Sequence, residues 1–213
     1  MRQRNIKNLS ERIEQNSRLL IEEPGDCKGR WAEINGNPIY LEIGCGKGNF
    51  ITKHAFAEPD CNFIACEGQM SVVLRALEKA EASGSGNLRV FIDFVNDLED
   101  YFEVGELSGI YLNFSDPWPK ARHAKRRLTY RGRLQNYKKV LKPDGFIEFK
   151  TDNEGLFAFT LEEIEACGYE MIEMSRDLHG EAQGVHGEKS RCFMTEYEEK
   201  FSGQGKNINF VRF

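Results

Sequence analysis

The sequence has 213 residues, 40% of them hydrophobic and including 15 Phe, 7 Tyr and 2 Trp, enough apolar material for one sizeable core. Its 29 Lys+Arg against 34 Asp+Glu give a formal net charge of -5, a total that argues against a nucleic-acid binder. No run approaches the roughly 18 apolar residues of a membrane span, no apolar stretch follows the charged N-terminus as in a secretory signal, and Cys27, Cys45, Cys61, Cys66, Cys167 and Cys192 form no C-x-x-C pair, so reduced thiols in a cytoplasmic protein are expected.

In chain order, residues 1–35 read as an accessory arm with a helix over Leu9–Ile21, ahead of one domain that completes the span 1–213. Short apolar strands are expected at 38–44, 61–67, 87–92, 109–114 and 145–151. Between them, Met70, Val73, Leu74 and Leu77 repeat at helical spacing and stop at the SGSG of 83–86. A second helical pattern runs from Asn153 through Phe157, Leu161 and Ile164 to Gly168. Strands alternating with helices predict an α/β fold with a doubly wound, mostly parallel sheet. Two closely spaced strands at 169–175 and 207–213 are expected to pair antiparallel at its edge.

The first strand ends in E-I-G-C-G-K-G-N, residues 42–49. Gly44, Gly46 and Gly48 give G-x-G-x-G, and Asn49 stands where a dinucleotide loop needs its third glycine. A Walker A loop fails as well, because Lys47 is followed by Gly48. With Glu42 ending the first strand and Glu67 the second, the loop suits a ligand carrying an ammonium group and a ribose diol, as S-adenosylmethionine does, and no phosphate. The fourth strand runs into N-F-S-D-P-W-P-K, residues 113–120, where two prolines force the chain out of the sheet and hold Asp116 at the same rim. A fixed carboxylate beside Trp118 offers acceptors and a flat face to a nucleobase.

G-x-G-x-G after E-I, NFSDPWPK, the following R-H-A-K-R-R-L, K-T-D-N at 150–153 and M-T-E-Y-E-E-K-F at 194–201 occur in this order, and over residues 38–202 the chain resembles the bacterial tRNA (guanine-N7)-methyltransferases. The resemblance implies a class I, Rossmann-like methyltransferase fold that uses S-adenosylmethionine, releases S-adenosylhomocysteine and methylates a guanosine of the tRNA variable loop. Carried over by motif, it implies that Glu42, Gly44, Gly46, Gly48, Glu67, Asn96 and Asp116 line the S-adenosylmethionine site, with Asp116 catalytic. Lys120, Asp152 and Thr195, Glu196, Tyr197, Glu198 would face the substrate, and Arg122, His123, Ala124, Lys125, Arg126, Arg127 would touch RNA. Asn96 stands where an acid is also seen, and Gly68 is smaller than the apolar residue expected against the cofactor.

Charge along the chain agrees with an RNA substrate. The 27 residues from Pro117 to Pro143 hold ten Lys+Arg and no acid, leaving 19 basic against 34 acidic residues elsewhere. Such a stripe neutralises phosphates with little base specificity, and Arg2, Arg4, Lys7 and Arg12 would extend it. Guanine N7 has a lone pair and no proton, so methylation there needs positioning and electrostatics rather than a general base. A loop holding Gly180, Gly184 and Gly187 is expected to order on RNA binding. His179, His186 and Cys192 lack metal spacing, so no metal is expected, and a monomer and a homodimer are equally compatible. Lys150 and Asp152 allow a strand-end ion pair as an alternative to a substrate contact. Two other readings stay open, another RNA methyltransferase and a non-catalytic RNA-binding module on this fold.

Overall fold

The computed structural model describes residues 6–180 and 192–213; Arg2, Arg4, His186 and the glycines at 184 and 187 lie outside them. Eight strands form one sheet: β1 (Leu20–Ile21), β2 (Ile39–Ile43), β3 (Asn62–Cys66), β4 (Leu88–Phe91), β5 (Leu107–Asn113), β6 (Leu141–Thr151), β7 (Glu173–Ser175) and β8 (Asn209–Arg212). Their order is β1-β4-β3-β2-β5-β6-β8-β7. All neighbours are parallel except β8, which runs antiparallel to both β6 and β7. The doubly wound sheet with an antiparallel C-terminal edge is therefore as expected.

Alternation sorts the strand residues onto two faces. Ile39, Leu41, Ile43, Ile110, Leu112, Ile147 and Phe149 join the core beneath α4 (Arg131–Val140) and α5 (Glu154–Ala166). Phe63, Ala65, Val90 and Tyr111 face α1 (Leu9–Gln15), α2 (Asn49–Ala57) and α3 (Met70–Ser83). On that second face β6 places Phe146 and, both buried, Glu148 and Lys150, and the C-terminal helix α6 (Glu196–Ser202) supplies Glu198 as the carboxylate partner of Lys150.

The two helices read from periodicity have physical stops. α3 ends at Gly84 with φ +70°, and α5 starts where the Asn153 side chain accepts from the Leu156 amide at 2.8 Å and ends before Gly168 at φ +63°. The arm departs from expectation. Its helix stops at Gln15, where the Asn16 side chain donates to the Arg12 carbonyl at 2.8 Å, and Leu20–Ile21 instead extend the sheet beside β4. Arg12 is turned inward to Glu78 of α3 rather than outward to a ligand. Helix α4 hid inside the basic run, although Leu134, Tyr137 and Val140 mark its buried face. Of the strand expected at 169–175, only Glu173–Ser175 forms.

Candidate active site at the crevice between β2 and β5

Strand β2 lies between β3 and β5, so the chain leaves it first to one side and later returns on the other. Such a reversal opens a crevice at the carboxyl ends of the strands. A cavity of about 630 Å³ lies there, and its walls include Gly44, Glu67, Asn96 and Asp116 together with Trp118, Lys125 and Arg126. Four of the residues expected to bind the cofactor thus share one space with two of those expected to meet RNA.

The glycine loop owes its shape to backbone conformation. Gly44, Gly46 and Gly48 have φ of 76°, 57° and 77°, the left-handed region that other residues enter at a cost. The turn aims amides inward, and the Gly46 N–H and the Gln69 N–H donate to the two Glu67 carboxylate oxygens at 3.2 and 3.0 Å. Glu67 is thereby fixed at the cavity wall. Gly46 shapes the loop, and Gly48 opens α2, where a Cβ would lie 2.8 Å from that of Ala76; neither forms part of the cavity wall.

Glu42 lies one layer deeper. It has no exposed surface, and its Oε1 accepts from the Asn113 amide at 2.8 Å while Oε2 has no partner among the described residues. Burial pushes its carboxyl up to about 8. Asn113 lines the cavity, and its own Oδ1 is buried with no partner among the described residues. Glu42 therefore reaches the cavity through Asn113.

Around Asp116 the backbone is strained. Phe114 and Trp118 have φ of 51° and 41°, which cost roughly 1–2 kcal/mol each in non-glycine residues. The Phe114 amide donates to the Lys150 carbonyl at 2.9 Å. The Arg127 guanidinium donates to the Pro117 and Trp118 carbonyls at 3.1 Å each and lies over Phe159. Arg127 is thus a clamp on the turn. Asp116 itself is exposed into the cavity. Arg126 covers the Trp118 ring at 4.8 Å, and His123 meets its edge. Arg122, Ala124 and Lys120 lie outside the cavity wall, with Lys120 and Arg122 exposed.

Asp152 and Thr195–Glu198 form a second cluster. Tyr197 donates to Asp152 at 3.2 Å, and Lys206 pairs with the same carboxylate. Thr195 caps α6 in a reciprocal box with Glu198. Glu198 is fully buried and pairs with Lys150 at 3.2 Å and His179 at 2.9 Å. The alternative Lys150–Asp152 ion pair is not found among the described residues: Lys150 reaches Glu198 of α6, and Asp152, just past the end of β6, takes Lys206 instead. Glu196 reaches Lys79 of α3. The Tyr197 ring lies 5.0 Å from that of Phe114, a cavity wall residue, so the two clusters adjoin.

Three further residues matter that the sequence reading did not single out. Asn113 links Glu42 to the cavity, and Arg133 donates to the Val95 carbonyl at 2.9 Å and to Asn96 Oδ1 at 3.3 Å, fixing that amide. The third is Phe94, an exposed ring on the cavity wall. Asn113 was visible inside the NFSDPWPK string and Arg133 only as one charge among ten. Among the described residues no group of three His, Cys, Asp or Glu could hold a metal ion, and no helix is long and apolar enough to cross a membrane.

A family model described as "Putative methyltransferase" matches residues 36–211. The tRNA (guanine-N(7)-)-methyltransferase of Lactococcus lactis subsp. cremoris (strain MG1363) is 45% identical over 210 residues, covering 98% of this chain and 95% of the relative. The enzyme of the same name from Mesoplasma florum is 47% identical over a 219-residue alignment, covering 98% and 96%. Among solved structures, an antibiotic-related methyltransferase matches with TM-score 0.60 at 16% identity, covering 86% of this chain and 91% of that one. A SAM-dependent methyltransferase from Aquifex aeolicus matches with TM-score 0.54 at 15% identity, covering 97% and 98%. At these identities the solved structures bear on the fold alone.

Proposed function

The chain belongs to the tRNA (guanine-N7)-methyltransferase family, and from that premise we propose how its cavity serves methyl transfer to N7 of a guanosine in the tRNA variable loop. It is an enzyme, and S-adenosylmethionine supplies the electrophilic methyl group. The observation that carries the residue assignment is the shared wall of one 630 Å³ cavity, where Gly44, Glu67, Asn96 and Asp116 meet Trp118, Lys125 and Arg126. That volume lies within the range of small-molecule sites. Glu42 Oε2 and Asn113 Oδ1, buried with no partner among the described residues, suit the ammonium of the methyl donor, and the Glu67 carboxylate suits its ribose diol.

No base is required, because N7 attacks with its own lone pair. The S–CH₃ bond breaks as N7–CH₃ forms, and the positive charge moves from sulfur to the purine. Asp116 accepts from guanine N1–H and N2–H₂, aims N7 along the line of transfer and stabilises the developing purine cation. Trp118 presents its ring to the base and Arg126 lies over that ring. Lys120, Asp152 and Thr195–Glu198 form the far wall of the substrate site, with Thr195 and Glu198 shaping it through the α6 cap. Arg122–Arg127 carry the RNA backbone, Arg127 by clamping the turn. In this reading residues 1–213 act as one methyltransferase domain, with 1–35 as an arm, on tRNA in the cytoplasm.

The test is incubation with unmodified tRNA and S-adenosylmethionine, then borohydride and aniline treatment, which cleaves at 7-methylguanosine. Asp116→Ala is expected to lower turnover by about 10²–10³-fold, the scale on which removing one hydrogen-bonding group that stabilises transition-state charge acts in an oxyanion hole. Binding of S-adenosylhomocysteine should weaken only modestly. Asp116 is exposed, so folding is not the confounder, and near-normal turnover would refute its role.

A further inference from the structure

Beyond β4 the chain leaves the sheet along the cavity wall, and Asp93, Phe94, Val95 and Asn96 all line it. Three of them are tied back to the protein. Asp93 accepts from the Tyr101 hydroxyl at 2.6 Å, Val95 is buried with its carbonyl held by Arg133, and Asn96 is held by the same guanidinium. Phe94 is not tied back in this way and is 67% exposed. It lies flat against the backbone of Gly68, where a Cβ would come within 2.3–2.4 Å of ring atoms Cδ1, Cε1 and Cγ. The φ of Gly68 is outside the left-handed region, so what the missing side chain provides here is room for that ring.

We propose that Phe94 is the platform on which the adenine ring of S-adenosylmethionine stacks, and that Gly68 is bare so that the ring can lie there. The proposal rests on the cavity being the cofactor site. Its position argues for it. Phe94 lies between Glu67, the ribose acceptor, and Asn96, whose amide Arg133 orients, and adenine joined to that ribose has to span the interval. An aromatic ring facing solvent beside two such groups gains most by covering a flat π-surface. The carboxylates of Glu67 and Asp93 on either side disfavour an RNA base with its phosphates, and the cations Lys125 and Arg126 come from a different segment of the wall. The apolar wall that a side chain at 68 would have supplied comes instead from the neighbouring strand's continuation.

Calorimetry with S-adenosylhomocysteine on the full chain tests this. Phe94→Ala is expected to weaken binding about 10-fold, within the range measured for base stacking, and Phe94→Tyr to leave it within about 2-fold. Gly68→Leu alone should weaken binding by expelling the ring. The double variant Phe94→Ala/Gly68→Leu should bind more tightly than either single change, because the leucine then fills the vacated wall. Thermal midpoints verify that all variants are folded. Wild-type affinity in Phe94→Ala overturns the proposal, and so does a loss confined to tRNA retardation. Additive losses in the double variant overturn the role given to Gly68. A wild-type chain that fails to bind S-adenosylhomocysteine overturns the cofactor reading itself, an outcome distinct from these.

Discussion

Glu42 shows what a residue type at a motif position does and does not reveal. The acid at the end of β2 marks the ligand crevice, but its burial follows from β2 being a central strand covered on both faces. Burial raises its carboxyl to about 8, Asn113 and Lys150 pull it down, and Glu196 and Glu198 push it up. The native state therefore holds a proton that the unfolded chain releases near pH 4.5. Stability from the neutral acid is complete below about 4.5 and is lost as pH rises through about 8. Glu42→Gln keeps the shape and removes the titration, so its stability relative to the native chain should climb between pH 5 and 8. Urea denaturation at pH 5, 6.5 and 8 measures this, and parallel curves would show that Glu42 does not titrate in that window. The same residue makes a second expectation. An ammonium entering against Asn113 favours the carboxylate, so binding S-adenosylhomocysteine at pH 7 should release protons, seen as a heat that depends on the buffer's ionisation enthalpy and disappears in Glu42→Gln.

Among the elements, strands were the most legible because buried parallel strands read as short apolar runs, and α3 and α5 because their apolar spacing and stops are local. Helix α6 was legible only as the string M-T-E-Y-E-E-K-F. What it does in the fold depends on partners far away in sequence, since Glu196 reaches Lys79, Glu198 reaches Lys150, and Glu199 reaches Lys53 and Asn49. No spacing rule identifies such pairs. The consequence is that α6 is strapped across α2, α3 and the end of β6, directly beside the glycine loop. Lys150→Met leaves buried Glu198 with only His179 and the Thr195 amide beside it among the described residues and should cost about 3–5 kcal/mol, whereas Lys150→Met/Glu198→Leu should recover much of it, less what the lost α6 cap contributes. Thermal and urea melts decide, and a double variant as unstable as the single would mean that the strap depends on the ions themselves. If the double variant is stable yet inactive on tRNA with intact S-adenosylhomocysteine binding, Glu198 also serves the substrate.

At the scale of the molecule, the net charge of -5 conceals a basic segment on an acidic body, and the fold divides that segment again. Arg131 is paired with Glu163 and Lys139 with Glu99, while Arg127 and Arg133 are spent on backbone carbonyls. Lys120, Arg122, Lys125 and Arg126 form no ion pair among the described residues, and all four are exposed beside the Asp116 turn. A count of ten cations thus overstates the electrostatic footprint, and sequence could not correct it because Glu163 and Glu99 lie outside the run. Counterion release makes the distinction measurable, since each phosphate contact adds close to one unit to the slope of log affinity against log salt. Arg122→Ala and Lys125→Ala should each flatten the tRNA slope by about 1. Arg131→Ala and Lys139→Ala should leave the slope unchanged, with Arg131→Ala lowering stability because buried Glu163 loses the guanidinium and keeps only the backbone amide of residue 131. Filter binding of unmodified tRNA from about 50 to 200 mM salt separates the two groups. Equal slope changes in all four variants would mean that RNA reads the whole run, and that the internal pairs open to meet it.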